Sequence, residues 1–188
     1  MKKKGYFFSM DAIAAVSILL TGIFLIFYVY TTQPIETPTY YLSEDILNVL
    51  STTSIDNLTV DDYPYFYKLI TDDIIKKTDN TILEQIGELT YSFNDDPFDE
   101  DENKQRAGAL VQNITNNIIP DSSGFSFKVY RGNEEITLYT KQSILGTTPN
   151  EAKVRIGTRK IIFGTIHDTN TNQKMLWGPY VVEAITWR

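Results

Sequence analysis

The chain has 188 residues, enough for one ordinary domain and an accessory segment. Its 24 acidic and 17 basic residues give a formal charge of −7, which argues against nucleic-acid binding because phosphates require a basic face. The absence of cysteine excludes disulfide scaffolds, thiolate metal sites and cysteine nucleophiles. A hydrophobic content of 42% predicts a folded chain, and the mean hydropathy of −0.21 hides an uneven distribution along it.

An uncharged, apolar run of 19 residues fills positions 12–30. As a helix rising about 1.5 Å per residue it would extend about 28 Å, close to the ~30 Å hydrocarbon core of a membrane. Aromatic residues near both ends of the run, such as Tyr6 and Tyr28, suit the two membrane interfaces. We therefore predict a transmembrane helix over residues 6–30, with the lipid membrane as its partner.

A basic leader, residues 1–5, precedes this helix and contains Lys2, Lys3 and Lys4. Positive charge on one flank keeps that flank in the cytoplasm, so the chain is predicted to cross the cell membrane once with its C-terminal domain outside. The first thirty residues hold three lysines and one aspartate, so the other 158 residues carry 14 basic and 23 acidic side chains. A formal charge of −9 suits an extracellular surface.

Three kinds of N-terminal segment compete for this region. A cleaved secretory signal peptide requires a shorter apolar core and a small-x-small site after it, and no such site follows in residues 29–34. A plain signal anchor explains the lysines and the apolar run. It leaves unexplained Gly5 directly after the lysines, and Ser9 and Asp11 just before the run.

The order of residues in this segment is similar to the class III signal peptides of archaeal type IV pilin-like surface proteins. The residues that carry the resemblance are Lys2, Lys3, Lys4, Gly5 and Tyr6, followed by Asp11. The resemblance implies that a prepilin-type peptidase removes the leader and leaves the helix on the mature protein. A mature chain that starts at Tyr6 has Asp11 in sixth place, and one that starts at Phe7 has it in fifth place.

Asp11 places a carboxylate at the edge of the predicted membrane helix. Such a charge is costly in hydrocarbon and less costly in the wet headgroup layer, near a helix N-terminus that attracts negative charge. The pilin resemblance implies a second role, in which Asp11 pairs with the α-amino group of a neighbouring subunit. Like or related pilin subunits are then partners through the N-terminal helix.

The exported part is predicted to begin with a stalk over residues 31–39, where Pro34 and Pro38 disfavour a helix. The extracellular domain is predicted over residues 40–188, with helices in 40–120 and strands in 124–188. Apolar spacing predicts helices over 40–54, 63–77, 81–90 and 103–118. The third of these would be capped by Asp79 or Asn80.

Alternating hydrophobicity from residue 124 onward predicts β-strands. Strands are expected over 124–130 and 136–140, then one long or two short strands over 154–166, and a last strand that begins near Gly178 and Pro179. Helices followed by strands predict an α+β fold with an antiparallel sheet. Together with the membrane helix, this order resembles the lollipop architecture of pilins.

Few residues favour catalysis or metal binding. His167, beside Asp168 in a predicted turn, has no serine elbow to act with and is expected to be a surface residue. Asp99, Asp101 and Asn103 begin like a calcium-binding loop, but the required glycine and closing glutamate are replaced, which favours a solvated acidic loop over an irregular cation site. No phosphate-binding or dinucleotide-binding motif occurs, so we predict neither enzymatic activity nor a cofactor.

Two N-x-T triplets, beginning at Asn57 and Asn113, are candidates for glycosylation if the domain lies outside the cell. The resulting prediction is a membrane-anchored, pilin-like subunit of an archaeal type IV filament or related surface assembly, structural or adhesive in role. A single-pass anchored extracellular binding domain that does not polymerise is the alternative, and an exported hydrolase is a third reading.

Overall fold

The computed structural model describes residues 4–32, 37–92, 100–168 and 173–188. The chain forms two compact units, Met1–Glu36 and Thr37–Arg188. The α-helices of the described residues are α1 (Lys4–Thr32), α2 (Thr37–Thr52), α3 (Pro64–Thr71), α4 (Ile82–Ser92) and α5 (Glu100–Thr115), with a short 3-10 turn at Ile55–Asn57. The strands are β1 (Gly124–Arg131), β2 (Glu134–Lys141), β3 (Arg155–Asp168) and β4 (Gln173–Trp187). The predicted α+β class, with helices before strands, is confirmed.

The first unit contains one long helix, α1, of 29 residues. Its stretch Asp11–Tyr28 has a mean hydropathy of 2.1, and none of it is buried against the rest of the protein. The helix is therefore long and apolar enough to span a membrane.

The ends of the predicted stalk, residues 31–39, are helical rather than extended. Thr31 and Thr32 close α1, residues 37–39 open α2, and residues 33–36, with Pro34, lie outside the described residues. Pro38 is the second residue of α2. A proline is tolerated in the first turn of a helix because the N–H it lacks would have no partner there.

Helix α3 ends earlier than the predicted range 63–77. Asp73 adopts a left-handed backbone with φ of 56°, and the N–H of Ile74 donates to the carbonyl of Leu69 at 3.0 Å. The N–H groups of this turn donate to carbonyls in the last turn of the helix, and the helix ends there. Ile75 then returns to the core, where only 2% of it is exposed, so its apolar character reflects burial after a turn.

The cap of α4 is Thr81, not Asp79 or Asn80. The N–H of Glu84 donates to Oγ1 of Thr81 at 3.2 Å, and the N–H of Thr81 donates to Oε2 of Glu84 at 2.8 Å. This reciprocal pair is a capping box, which satisfies N–H groups that the first helical turn leaves without partners.

The four strands form one antiparallel sheet in the order β2-β1-β4-β3. Helices α2, α4 and α5 pack against the sheet, and the apolar core fills the space between these layers. Fully buried side chains from each layer include Ile46, Leu50, Ile86, Leu110, Phe125, Phe127, Val129 and Val182. These helices cover one face of the sheet, and the other, here called the outer face, carries the candidate site below.

Strand β4 begins at Gln173, five residues before its predicted start. The register pairs Ile162 with Tyr180 and Gly164 with Trp177, so Phe163 of β3 faces Gly178 and Pro179 of β4. Two residues against one make a β-bulge. Because proline has no N–H to give to a strand ladder, it is accommodated where the ladder is interrupted.

Strand β3 is one long strand and includes His167 and Asp168, which the sequence placed in a turn. His167 pairs with Lys174 and Asp168 with Gln173 along the backbone. Residues 169–172, between the two strands, lie outside the described residues. The hairpin of β3 and β4 therefore continues well past the bulge as a two-stranded ribbon.

The side chain of Trp177 packs this ribbon against the rest of the domain. It is only 2% exposed, and its ring stacks on Tyr180 with centroids 5.8 Å apart. The ring lies directly over Gly87 of α4 and Gly164 of β3, where a Cβ atom would collide with it. These two glycines are therefore required by the space that the indole fills.

Gly164→Ala tests this packing, because its Cβ would lie 2.6 Å from the Trp177 ring. We expect the free energy of unfolding to fall by about 1–3 kcal/mol, as in other overpacked cores. The free energy of unfolding is measured from tryptophan fluorescence during denaturation of the chain in detergent. Gly157→Ala on the same strand is the matched control, since its Cβ would be 3.4 Å from its nearest neighbour, and a change within about 0.5 kcal/mol is expected. Equal effects of the two substitutions would contradict the packing role of Gly164.

Candidate functional site

Helix α1 presents an apolar surface, and the hydroxyls of Ser17 and Thr21 within it bond to the helix backbone. The hydroxyl of Ser17 donates to the carbonyl of Ile13 at 2.9 Å, and that of Thr21 to the carbonyl of Ser17 at 2.8 Å. Side chains such as Leu19 and Ile26 are each 63% exposed. A helix whose hydroxyls bond within the helix suits a solvent that supplies no hydrogen bonds, such as lipid.

The residues predicted to act in processing and assembly lie at the start of α1. Asp11 is exposed and opens the apolar stretch Asp11–Tyr28. Lys4, Gly5 and Tyr6 have a helical backbone, and their side chains are not among those described. Lys2 and Lys3 lie outside the described residues.

The outer face of the sheet carries a polar cluster that the sequence did not predict. Glu183 of β4 is almost buried, and its carboxylate accepts a hydrogen bond from the hydroxyl of Tyr130 on β1 at 2.6 Å. Its other oxygen accepts one from Nε of Arg159 on β3 at 2.8 Å. The Arg159 guanidinium also lies over the Tyr130 ring, 5.4 Å from its centroid, a cation–π contact.

The pKa values of this cluster reflect how its members share charge. Burial raises the pKa of Glu183, but the hydrogen bonds from Tyr130 and Arg159 and the nearby positive charges lower it more, so it lies below its usual value. The hydrogen bond to Glu183, with burial, raises the pKa of Tyr130 to about 12. Because both oxygens of Glu183 accept hydrogen bonds from neighbouring strands, the cluster links three adjacent strands.

The register of the strands shows why the cluster around Glu183 forms. Glu183 pairs directly with Lys128 of β1 and with Arg159 of β3. Opposite charges at paired positions stabilise adjacent strands. These residues are 24 or more positions apart in sequence, so the pairing becomes visible only after the strand order is known.

An exposed apolar patch lies beside this cluster, on the same face of β3 and the ribbon. It consists of Ile161, Phe163 and Leu176, which are 63%, 64% and 74% exposed. Phe163 and Leu176 also line a cleft of about 300 Å³, whose polar wall includes Asn80 and Glu84. Exposed apolar groups of this kind favour contact with another molecule.

The residues considered for a cation do not converge. Asp99 lies outside the described residues, and Asp101 is exposed on α5. Asn103 is buried, and its Oδ1 accepts a hydrogen bond from the guanidinium of Arg106 at 2.8 Å, which places a positive charge where a cation would bind. Within the described part of the chain, no group of three or more histidine and acidic residues is arranged to hold a metal ion.

The two N-x-T triplets occupy different settings. Asn57 is exposed at the end of the 3-10 turn, whereas Asn113 is half-buried within α5.

Comparison of the chain with protein-family models, with curated proteins and with solved structures gives no match. Function must therefore be argued from these surfaces.

Removal of the Tyr130 hydroxyl tests the polar cluster. A hydrogen bond to a charged group is worth about 1.5–3 kcal/mol, so Tyr130→Phe is expected to reduce the free energy of unfolding by about that amount at neutral pH. Tyr67→Phe, at a residue that is 53% exposed, is the control and should have little effect.

The pH dependence gives a second readout of the same variant. Because folding lowers the pKa of Glu183, its contribution is present above about pH 4.3, the usual value for a free glutamate, and is lost as the pH falls through the folded value. Tyr130→Phe should shrink that acid-induced loss of stability. An unchanged acid transition in Tyr130→Phe would contradict the assignment.

Proposed function

We propose that the protein is a membrane-anchored, pilin-like subunit of an archaeal type IV filament or a related cell-surface assembly, with a structural or adhesive role. The observation that carries this proposal is the stretch Asp11–Tyr28 of α1, which has a mean hydropathy of 2.1 and is unburied. Burial of a single large aliphatic side chain is worth about 1.5–3 kcal/mol. A membrane before assembly, and neighbouring helices after it, would both bury this surface.

Small residues support close contact between such helices. Close approach of two helices in lipid favours small side chains. Gly22 has open space around it, since an added Cβ would meet no atom within 4 Å. Other small residues of α1 include Ala12, Ala14, Ala15 and Ser17.

Asp11 would serve the assembled state. Its carboxylate is exposed where the apolar stretch begins, so it lies in the headgroup layer when the helix spans a membrane. When helices pack against each other, that charge requires a positive partner. The free α-amino group of a processed neighbouring subunit is a suitable one.

The properties of the second unit are compatible with an extracellular location. It closes a core without disulfides, and the chain after residue 30 carries a formal charge of −9. The three lysines that precede the apolar stretch, Lys2, Lys3 and Lys4, favour a cytoplasmic N-terminus and an external domain.

A non-polymerising binding domain on the same anchor is the second candidate. The apolar patch of Ile161, Phe163 and Leu176 favours it, because large exposed apolar patches mark interaction sites. Both candidates share the membrane helix and the external domain. They differ in whether the leader is removed and whether α1 packs against copies of itself.

The mature N-terminus separates these candidates. If the chain is a pilin-like subunit, the protein isolated from cell membranes should begin at Tyr6 or Phe7, since the peptidase would remove the basic leader. Mass spectrometry of the intact protein and of its N-terminal peptide measures this. A mature chain that retains Met1 or Lys2 would contradict the pilin-like role and leave the anchored binding domain.

Asp11→Ala tests assembly directly. We expect the variant to be made and inserted at the normal level but to yield at least tenfold less sedimentable surface assembly, because a lost charge pair of about 1.4 kcal/mol changes an equilibrium tenfold. Ser9→Ala, two positions away, is the matched control and should assemble normally. Normal assembly of Asp11→Ala would rule out the pairing role of this carboxylate.

A further inference from the structure

The segment around Asn57 combines an exposed acceptor amide with an exposed hydroxyl two residues later. Asn57 ends the 3-10 turn, and both it and Thr59 are exposed. Leu58 between them has an extended backbone, with φ of −82° and ψ of 133°, and packs against the core. Because alternate residues of an extended chain point to the same side, the half-buried Leu58 directs its two neighbours outward together.

The chain around this triplet is open to a large enzyme. Residues 59–62 are exposed as well, and the Thr59 hydroxyl donates to the carboxylate of Asp62, a bond at the surface that water can replace. A bulky substituent on Asn57 would extend into solvent. It would displace no core side chain.

The second triplet, at Asn113, has the opposite character. It lies inside α5, where residues two apart do not share a face of the helix. Nδ2 of Asn113 donates to the carbonyl of Ala109 at 2.9 Å. Thr115 is fully buried, and its hydroxyl donates to the carbonyl of Val111 at 2.7 Å. The amide and the hydroxyl of this triplet cannot be presented together in the folded chain.

We propose that Asn57 is a site of N-linked glycosylation and that Asn113 is not. This proposal rests on the proposed function, because glycan transfer requires the domain to lie on the outer side of the membrane. One chain thus holds an available acceptor and an enclosed one with the same N-x-T pattern.

The reaction requires a glycan donor linked to a lipid phosphate and a membrane-bound transferase. Nδ2 of Asn57 forms a bond to the anomeric carbon of the glycan, and the bond from that carbon to the phosphate oxygen breaks. The lipid phosphate leaves with the bonding electrons, and the amide nitrogen loses one proton to a base of the transferase. No oxidant or reductant is needed.

A membrane anchor favours this transfer. Helix α1 would hold the chain at the same membrane that carries the lipid-linked donor, which raises the effective concentration of each for the other. A glycan at this exposed turn would also shield the apolar side chain of Val60, which is 49% exposed.

Peptide mass spectrometry of the full chain, purified from the membranes of its source cells, tests the proposal. We expect the peptide that contains Asn57 to carry one glycan mass, which is lost in Asn57→Gln and in Thr59→Ala and retained in Thr59→Ser. The matched variant Asn113→Gln should leave the glycan mass unchanged. A glycan on Asn113, or one on Asn57 that survives Thr59→Ala, overturns the assignment.

The same spectra report the N-terminus, so failure here is distinguishable from failure of the proposed function. An unmodified Asn57 on a chain that begins at Tyr6 or Phe7 overturns the glycosylation site alone. An unmodified Asn57 on a chain that retains Met1 overturns both this site and the pilin-like role.

Discussion

The unburied apolar surface of α1 is the constraint on which the account depends. A soluble protein places such side chains in its core, yet those of Asp11–Tyr28 are not buried. The hydrophobic effect makes this surface unfavourable in water in proportion to its area. The helix is long and apolar enough to span a membrane, and under the proposed function lipid and other copies of the helix would cover it.

The second unit contrasts with α1 because it covers its own apolar residues. Without cysteine it depends on packing, and the sheet and helices supply that packing through close contacts such as Trp177 against Gly87 and Gly164. On the outer face of the sheet, Glu183 and Arg159 form a charged, hydrogen-bonded pair, while Ile185 and Trp187 are buried and Nε1 of Trp187 donates to the carbonyl of Thr147.

The sequence was sufficient for the features that depend on local periodicity. Alternation at Phe125, Phe127 and Val129 predicted β1, and all three side chains are fully buried. The uninterrupted apolar run predicted α1, and the change from helical to alternating spacing predicted the α+β class.

Features that depend on distant partners could not be predicted. Pro179 signalled the start of a strand, but the bulge opposite Phe163 lets it lie within β4. The apolar spacing through Ile75 indicated a longer α3, whereas the left-handed turn at Asp73 ends it. The cluster around Glu183 joins three strands whose order periodicity does not reveal.

The location of the domain is tested most directly by labelling a single introduced cysteine. The chain has no cysteine of its own, and Asn133 is exposed in the turn between β1 and β2, so Asn133→Cys provides one reactive thiol. If the domain lies outside the cell, we expect a membrane-impermeant maleimide to label this variant as fully in intact cells as in lysed cells. Labelling that appears only after lysis would place the domain in the cytoplasm and contradict the central claim.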